Sequence, residues 1–157
     1  MNEMEILLIE DNPEDVEITL RAFTKNHLAN KIHVVRDGEE ALECLFSTGQ
    51  YAERSACSMT RLILLDLKLP KVDGMEILRR CKSDQRTKKI PVVVLTSSRE
   101  ERDLIGSYEL GANSYVVKPV DFSQFTETVR QLGLYWITIN QLPSDIHSQG
   151  KRAGALQ

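Results

Sequence analysis

Three stretches of the chain carry four consecutive large aliphatic residues, and they lie within Glu5–Ile9, Leu62–Leu65 and Pro91–Leu95. A run that is apolar at every position is typical of a strand buried on both faces of a parallel sheet. Two further runs, Ile32–Val35 and Tyr115–Val117, are shorter or contain a polar residue. The pattern therefore predicts three central strands and two edge strands.

Each predicted strand is followed by a segment whose apolar residues recur at helical spacing. The stripes are Val16, Leu20 and Phe23; Ala41, Leu42, Leu45 and Phe46; Ile77, Leu78 and Cys81; Leu104, Ile105 and Tyr108; and Phe122, Phe125, Val129 and Leu132. Each segment begins with an N-cap residue that is followed three positions later by a polar or acidic residue, the spacing of a capping box. The five pairs are Asn12/Asp15, Asp37/Glu40, Asp73/Glu76, Ser98/Glu101 and Asp121/Gln124.

This alternation of strands and helices predicts an α/β fold. Five successive βα units form a doubly wound, five-stranded parallel sheet with helices on both faces. The strand order 2-1-3-4-5 places the three apolar strands in the centre and the two mixed strands at the edges. The interval from Asp37 to Asp73 is longer than the others, and it contains Gly49–Thr60. We interpret Gly49–Thr60 as a surface insertion or an extended helix end.

Length and composition agree with one compact domain, because 157 residues that are 41% hydrophobic allow a substantial core and little more. We predict this domain over residues 1–140 and a C-terminal tail without a fold of its own over 141–157. A net charge of −3 without a basic cluster argues against nucleic-acid binding. The absence of a long apolar stretch and of a signal peptide predicts a cytoplasmic protein that does not bind membranes.

The three cysteines, Cys44, Cys57 and Cys81, are odd in number and lack metal-type spacing. Cys44 and Cys81 lie among helical apolar residues, so we predict reduced thiols in the core. The three histidines, His27, His33 and His147, likewise have no spacing that indicates a metal site or phosphotransfer.

Polar residues follow four of the predicted strands at the point where each strand ends. Glu10 and Asp11 follow the first strand, Asp66 the third, Thr96 the fourth and Lys118 the fifth. In the order 2-1-3-4-5 the first and third strands are neighbours at the topological switch point, where open α/β sheets bind ligands. Three carboxylates in one pocket are costly unless a proton or a cation is present, and all-oxygen ligands suit Mg²⁺.

These groups have the properties needed to transfer a phosphoryl group onto Asp66. A metal ion and Lys118 would neutralise the developing charge, and Thr96 would donate a hydrogen bond to one oxygen. Taken alone, an acid at the end of a strand is usually just solvated, and a Lys-Pro dipeptide is usually just a turn. These explanations do not account for why all of these residues fall on the same edge of the sheet.

At these positions the chain resembles the receiver domain of two-component response regulators, which has a flavodoxin-like fold. The matching pieces lie within residues 4–135 and are Glu10-Asp11, Asp66 in LLDLKLPKVDG, Thr96 in VVVLTSS, and Lys118-Pro119 in YVVKP. The resemblance implies that Asp66 accepts a phosphoryl group from a phosphohistidine on a sensor histidine kinase. Self-phosphorylation from a phosphodonor and autodephosphorylation would be the only chemistry.

The resemblance also assigns roles to further residues. It implies that Asp11, Asp66 and the backbone carbonyl of Lys68 bind Mg²⁺, with Glu10 acting nearby or through water. It implies that Thr96 and Tyr115 form a switch pair and that the Lys118–Pro119 peptide is cis. The long second interval and the segment Leu134–Pro143 are similar to those of stand-alone regulators associated with phytochrome-type kinases.

Three other classes of protein share some of these features. A flavin carrier with this fold needs a hydroxyl-rich, anion-binding loop after the first strand, where this chain has Glu10-Asp11. A phosphatase with an aspartyl nucleophile generally has a second acid two residues later, where this chain has Lys68. A binding module that has lost phosphorylation is excluded less firmly, because every group required for phosphorylation is present. Visible absorbance would identify the flavin carrier, and turnover of small phosphoesters would identify the phosphatase.

Output must take place without a DNA-binding domain, because only about 20 residues follow the fifth helix. We therefore expect protein–protein contacts or phosphorelay. Leu132, Tyr135, Trp136 and Ile139 continue the apolar spacing beyond the fifth helix and predict a homodimer interface. The alternative is that Trp136 folds back onto its own domain.

The fourth helix is expected to respond to phosphorylation. Its charged segment Arg99–Asp103 is typical of a solvated helix face. Its thin apolar stripe would leave the helix weakly anchored and able to shift.

Overall fold

The computed structural model describes residues 5–25, 31–53 and 60–143. Five strands run over Ile6–Ile9 (β1), Ile32–Val35 (β2), Leu62–Leu65 (β3), Val92–Thr96 (β4) and Ser114–Val117 (β5). Five α-helices run over Pro13–Lys25 (α1), Gly38–Phe46 (α2), Gly74–Ser83 (α3), Glu101–Glu109 (α4) and Phe122–Gly133 (α5). A 3₁₀ turn, Gly49–Tyr51, follows α2, and a π-helical segment, Leu134–Ile139, continues α5. The predicted succession of βα units is confirmed.

The sheet has the predicted order β2-β1-β3-β4-β5, and all four pairs of neighbouring strands are parallel. Ile9 at the end of β1 pairs with Leu65 at the end of β3, and Leu65 pairs with Val94 of β4. Because the strands run in the same direction, their carboxyl ends meet at one edge of the sheet. The residues that follow β1 and β3 therefore leave the sheet side by side.

The sheet separates two hydrophobic cores, because successive side chains of a strand point to opposite faces. The β1 residues Leu7 and Ile9 lie in the core shared with α2 and α3. The residues Ile6 and Leu8 lie in the core shared with α1 and α5. β1, β3 and β4 are buried along their whole length, which explains their unbroken apolar sequences. Within the described ranges no helix is long and apolar enough to cross a bilayer.

Both cysteines within the described ranges are buried. Cys44 of α2 and Cys81 of α3 lie in the core as reduced thiols, as predicted. Burial raises the pKa of the Cys81 thiol, so this cysteine behaves as a packing residue rather than a nucleophile. Cys57, like His27 and His147, lies outside the described residues.

The long interval after α2 is anchored by an aromatic side chain. Tyr51 is buried, and its hydroxyl donates a hydrogen bond to Oε1 of Glu40 at 2.8 Å. Nε2 of His33, on the edge strand β2, lies 2.7 Å from the same hydroxyl. The first part of Gly49–Thr60 is therefore a turn packed against the edge of the domain, while residues 54–59 lie outside the described ranges.

Four of the five predicted N-caps are confirmed, since the side chains of Asn12, Asp37, Asp73 and Asp121 each accept a hydrogen bond from a backbone N–H in the first turn. The fifth cap is wrong. α4 begins at Glu101 with Glu100 as its N-cap, and Ser98 lies in the preceding loop. The Ser98 hydroxyl accepts from the N–H of Glu100 and donates to Asp103, so it ties the loop to the first turn of α4 without acting as the N-cap.

The segment after α5 divides the predicted apolar stripe between two environments. Leu132 and Trp136 pack against the core formed by α1 and α5, whereas Tyr135 and Ile139 are 48% and 58% exposed. The stripe is therefore not one surface, and Trp136 folds back onto its own domain. Phe122 is also exposed, although it was predicted to belong to the core stripe. It is the first residue of α5 and lies outside the part of the helix that packs against the core.

The described part of the predicted tail is short. Leu142 is buried, so its side chain packs on the domain, whereas Gln141 and Pro143 are exposed. Residues 144–157 lie outside the described ranges, and the division into a domain and a tail stays a prediction.

The Lys118–Pro119 peptide is trans, and the described residues contain no cis peptide bond. The cis bond implied by the family resemblance is therefore wrong for this structure. Trans is the more stable isomer of an X–Pro bond by about 0.5–1 kcal/mol, and the dipeptide sequence alone does not select the other isomer.

Candidate functional site

Two buried carboxylates lie side by side where β1 and β3 end. Glu10 and Asp66 are 3% and 8% exposed, and the N–H of Asp66 donates to the carbonyl of Ile9 at 3.0 Å. Asp11 is exposed at the mouth of the same site. Three carboxylate oxygens, one from each of these acids, lie within 4.8 Å of one another. The structure therefore brings together the acids that the sequence predicted.

This acidic group fits a divalent cation. An all-oxygen donor set suits a hard cation such as Mg²⁺. Burial and the neighbouring Asp66 together raise the pKa of Glu10 to about 8. For Asp66 burial acts in the same direction, but hydrogen bonds with Glu10 and Lys118 outweigh it and hold the pKa of Asp66 below its ordinary value. Near neutral pH the site therefore retains a proton on Glu10 that a cation can replace.

Lys118 closes the site from the end of β5. Its ammonium group donates to Asp15 at 2.8 Å and to Asp66 at 2.9 Å, and it also contacts Glu10. Burial alone would lower the pKa of Lys118, but the three carboxylates outweigh it and raise the pKa. Lys118 is therefore charged and is held next to the predicted phosphoryl acceptor.

Asp15 is a site residue that the sequence interpretation missed. Its spacing from Asn12 marked it as part of a helix cap, and its N–H does bond to the Asn12 side chain. Its carboxylate, however, points across the site to Lys118. Sequence contained no signal for this contact, which depends on how α1 packs against the end of β5.

The loop after β3 holds the Asp66 side chain in place. Oδ1 of Asp66 accepts from the N–H of Lys68 at 3.3 Å, while Oδ2 accepts from Lys118. The loop returns tightly to α3, since the N–H of Gly74 donates to the carbonyl of Leu67 at 2.8 Å. A Cβ on Gly74 would lie 2.4 Å from the carbonyl oxygen of Asp66, so only glycine permits this approach. The metal-binding role of the Lys68 carbonyl stays a prediction.

Thr96 and Tyr115 are joined through a third residue, Ser98. Thr96 is completely buried at the end of β4, and its hydroxyl helps to lower the pKa of Asp66. Oγ1 of Thr96 accepts from the N–H of Ser98 at 3.3 Å. The Tyr115 hydroxyl donates to the carbonyl of Ser98 at 3.0 Å. Sequence interpretation treated Ser98 as a helix cap and missed this connection.

Comparison with known proteins agrees with the geometry. The family model "Response regulator receiver domain" matches residues 6–130. A probable methanogenesis regulatory protein, FilR2 of Methanothrix harundinacea, is 41% identical over 88% of this chain and 86% of its own length.

Two solved structures of response regulators are also similar. The phosphorylated cyanobacterial phytochrome response regulator RcpA is 40% identical, with a TM-score of 0.83 over 90% of this chain and 99% of its own. The Mn²⁺-bound form of the response regulator Rcp1, a Synechocystis protein, is 36% identical, with a TM-score of 0.82 over 89% of this chain and 99% of its own. The chain therefore belongs to the receiver-domain family of two-component response regulators.

Proposed function

We propose that Asp66 is the residue that accepts a phosphoryl group from a phosphohistidine on a sensor histidine kinase. The observation that carries this proposal is the position of Asp66 between an acidic group suited to a cation and the charged Lys118. An acceptor carboxylate with positive charge available on both sides has the electrostatic arrangement that phosphoryl transfer needs.

In the transfer an oxygen of Asp66 forms a bond to phosphorus while the bond from phosphorus to the donor histidine nitrogen breaks. The imidazole nitrogen keeps the electron pair of that bond. Lys118 pairs with an oxygen of the phosphoryl group, and the Thr96 hydroxyl donates a hydrogen bond to another. The loop that ends at Gly74 keeps the acceptor carboxylate in place during this exchange.

Mg²⁺ is the proposed cofactor, held by Asp11, Asp66 and the backbone carbonyl of Lys68, with Glu10 nearby or acting through water. It supplies charge neutralisation for the acceptor and the incoming phosphoryl group. Support comes from the three converging carboxylates and from the Mn²⁺-bound form of the relative Rcp1. Slow self-phosphorylation from a small phosphodonor and autodephosphorylation at Asp66 belong to the same proposal.

A phytochrome-type sensor histidine kinase is the proposed partner, with output by protein–protein contacts or phosphorelay. Support comes from RcpA, whose description names it a phytochrome response regulator. Such a partner would act on this protein in the cytoplasm. The relative FilR2 is described as a methanogenesis regulator instead, so transfer from a phytochrome kinase has to be measured against transfer from an unrelated histidine kinase.

We propose that a second copy of this chain packs against the exposed apolar residues after α5. Leu134, Tyr135 and Ile139 are 45%, 48% and 58% exposed. The Tyr135 ring contacts Trp136 edge-to-face, with centroids 5.0 Å apart, which fixes it on the surface. A symmetric dimer would bury both copies of this patch.

Phosphorylation by acetyl phosphate in the presence of Mg²⁺ tests the proposed acceptor. Intact-mass measurement is expected to show one added phosphoryl group on the wild type and none on Asp66→Asn. Asp84→Asn is a matched control, because Asp84 lies on the surface at the end of α3 and pairs with Arg86 away from the site. Labelling of Asp66→Asn to the wild-type extent would contradict the assignment.

A further inference from the structure

All three hydrogens of the Lys118 ammonium group are directed to carboxyl groups from different parts of the fold. An ammonium group has three donors and no acceptor, and Nζ contacts Glu10, Asp15 and Asp66. Glu10 follows β1, Asp66 follows β3, and Asp15 lies in the first turn of α1. A phosphoryl group that approaches Asp66 must therefore replace one of these carboxyl groups before it can bind Lys118.

Once a cation is bound and Glu10 is ionised, Asp15 is the partner of Lys118 that can leave with least loss of free energy. The side chains of Glu10 and Asp66 are 4% and 10% exposed, whereas the side chain of Asp15 is 21% exposed. A carboxylate with access to solvent regains hydration when it leaves its partner, and a buried carboxylate does not. Glu10 and Asp66 also belong to the acidic group suited to a cation, and Asp15 does not.

Asp15 also opposes the arrival of an anion. Its negative charge lies 2.8 Å from the ammonium group that the phosphoryl oxygens must reach. In a site largely shielded from water this charge weakens the attraction of Lys118 for a second anion. Asp15 therefore differs from the other two carboxylates, because it neither accepts the phosphoryl group nor joins the cation-binding acids.

We propose that Asp15 is a positioning residue that restrains Lys118 in the unphosphorylated protein and competes with the phosphoryl group for it. The inference rests on the proposed function of Asp66 and Lys118. As the phosphoryl group approaches Asp66, the hydrogen bond from Lys118 to Asp15 breaks and one from Lys118 to a phosphoryl oxygen forms. Lys118 keeps its three protons, and the Asp15 carboxylate is released to water.

Asp15→Asn tests this competition, because it keeps the shape of the side chain and removes its charge. Glu14→Gln is the matched control, since Glu14 precedes Asp15 in the first turn of α1, carries the same charge and is exposed. Two quantities are measured with Mg²⁺ present: the kcat/KM of self-phosphorylation by acetyl phosphate, and the Kd of beryllofluoride, an ion that mimics the phosphoryl group.

Asp15→Asn is expected to raise kcat/KM and to tighten beryllofluoride binding, each by roughly two- to fivefold relative to Glu14→Gln. Asp15→Ala, which removes the acceptor oxygens as well, is expected to give at least the same gain. The midpoint of thermal unfolding, measured alongside, is expected to stay equal or fall. A gain in both quantities without a gain in stability cannot result from damage to the fold.

Values for Asp15→Asn equal to or lower than those for Glu14→Gln would overturn the inference. That result leaves the proposed function intact if the wild type is still labelled and Asp66→Asn is not. Failure of the proposed function has a different signature, in which Asp66→Asn is labelled as fully as the wild type.

Discussion

Tyr115 donates its phenolic hydrogen to the backbone carbonyl of Ser98, across 3.0 Å. The N–H of Ser98 in turn bonds to Oγ1 of Thr96 at 3.3 Å, and the Ser98 hydroxyl donates to Asp103 of α4 at 2.5 Å. Ser98 is therefore a junction that joins Thr96, the buried neighbour of Asp66, to β5 and to α4. Any movement of Thr96 towards a phosphoryl group acts first on Ser98.

Phosphorylation of Asp66 is expected to change amide hydrogen exchange in residues 99–110 and around Tyr115. α4 is weakly anchored, because Ser107 is its one buried residue and three of its large side chains, Leu104, Ile105 and Tyr108, are 40%, 48% and 52% exposed. Ser98→Ala removes the bond to Asp103 and is expected to reduce the response of α4. Ser97→Ala, at an exposed position, serves as the control. Changes confined to the loop over residues 66–74 would contradict a propagated switch.

Mg²⁺ binding is expected to release protons below about pH 8. The pKa of Glu10 is raised to about 8 by burial and by Asp66, so the metal-free protein holds a proton on Glu10 at pH 7. A cation favours the ionised carboxylate, so the apparent Mg²⁺ affinity rises with pH and levels off above about pH 8. Calorimetry in two buffers of different ionisation enthalpy counts the protons released.

Glu10→Gln is the control for this measurement, because it removes the titrating group and keeps the size of the side chain. It is expected to bind Mg²⁺ with little proton release. A wild type whose Mg²⁺ affinity is the same at pH 6 and pH 9 would show that Glu10 is ionised throughout.

Lys118→Met is expected to destabilise the metal-free protein by roughly 3 kcal/mol at neutral pH, because it leaves buried carboxylates without their cation. The loss should shrink at pH 5, because without Lys118 burial raises the pKa of Asp66 and the variant can protonate it. Mg²⁺ should bind this variant more tightly than the wild type, since the ion takes over the missing positive charge. Urea unfolding in EDTA and Mg²⁺ titration measure the two effects.

Lys82→Met is the matched control, since Lys82 is also partly buried but donates to the carbonyls of Lys88 and Ile90 and to the side chain of Asn113 instead of carboxylates. Its loss of stability should not depend on pH in this range, and its Mg²⁺ affinity should equal that of the wild type. Weaker Mg²⁺ binding by Lys118→Met would mean that Lys118 organises the acids and does not compete with the ion.

The exposed residues after α5 are expected to affect self-association and not folding. Tyr135→Ala with Ile139→Ser should shift the sedimentation equilibrium towards monomer with little change in stability, because both side chains are about half exposed. Trp136→Ala should instead destabilise the fold by roughly 2 kcal/mol, because Trp136 packs against the core next to α5. A wild type that remains monomeric at high concentration, phosphorylated or not, would refute the proposed dimer.

The order of the sheet and the convergence of Glu10, Asp66 and Lys118 could be predicted from sequence. Consecutive aliphatic residues identify a strand buried on both faces, and parallel strands bring the residues after them to one edge. Such signals are local and place the three apolar strands in the centre, and the exact order 2-1-3-4-5 agrees with the family that the chain resembles. Four of the five helix caps were also predicted correctly, because a cap depends on residues within one turn.

Contacts between distant elements could not be predicted in this way. The bond from Asp15 to Lys118 depends on how α1 is oriented, and the bond from Tyr115 to Ser98 depends on the path of the loop before α4. The split of the stripe between Trp136 and Tyr135 arises because the chain continues from α5 as a π-helix, whose wider turn changes which side chains face the core. None of these features leaves a periodic pattern in the sequence.

Chemical identification of the phosphorylated residue tests the central claim most directly. An acyl phosphate, unlike a free carboxylate or a phosphoester, is reduced by borohydride to an alcohol, which converts a phosphorylated aspartate to homoserine. After phosphorylation by acetyl phosphate with Mg²⁺ and reduction, peptide mass spectrometry should find homoserine at position 66 and aspartate at positions 11 and 15. Homoserine at position 11 or 15, or an unreduced position 66 in protein that carries the phosphoryl group, would contradict the account.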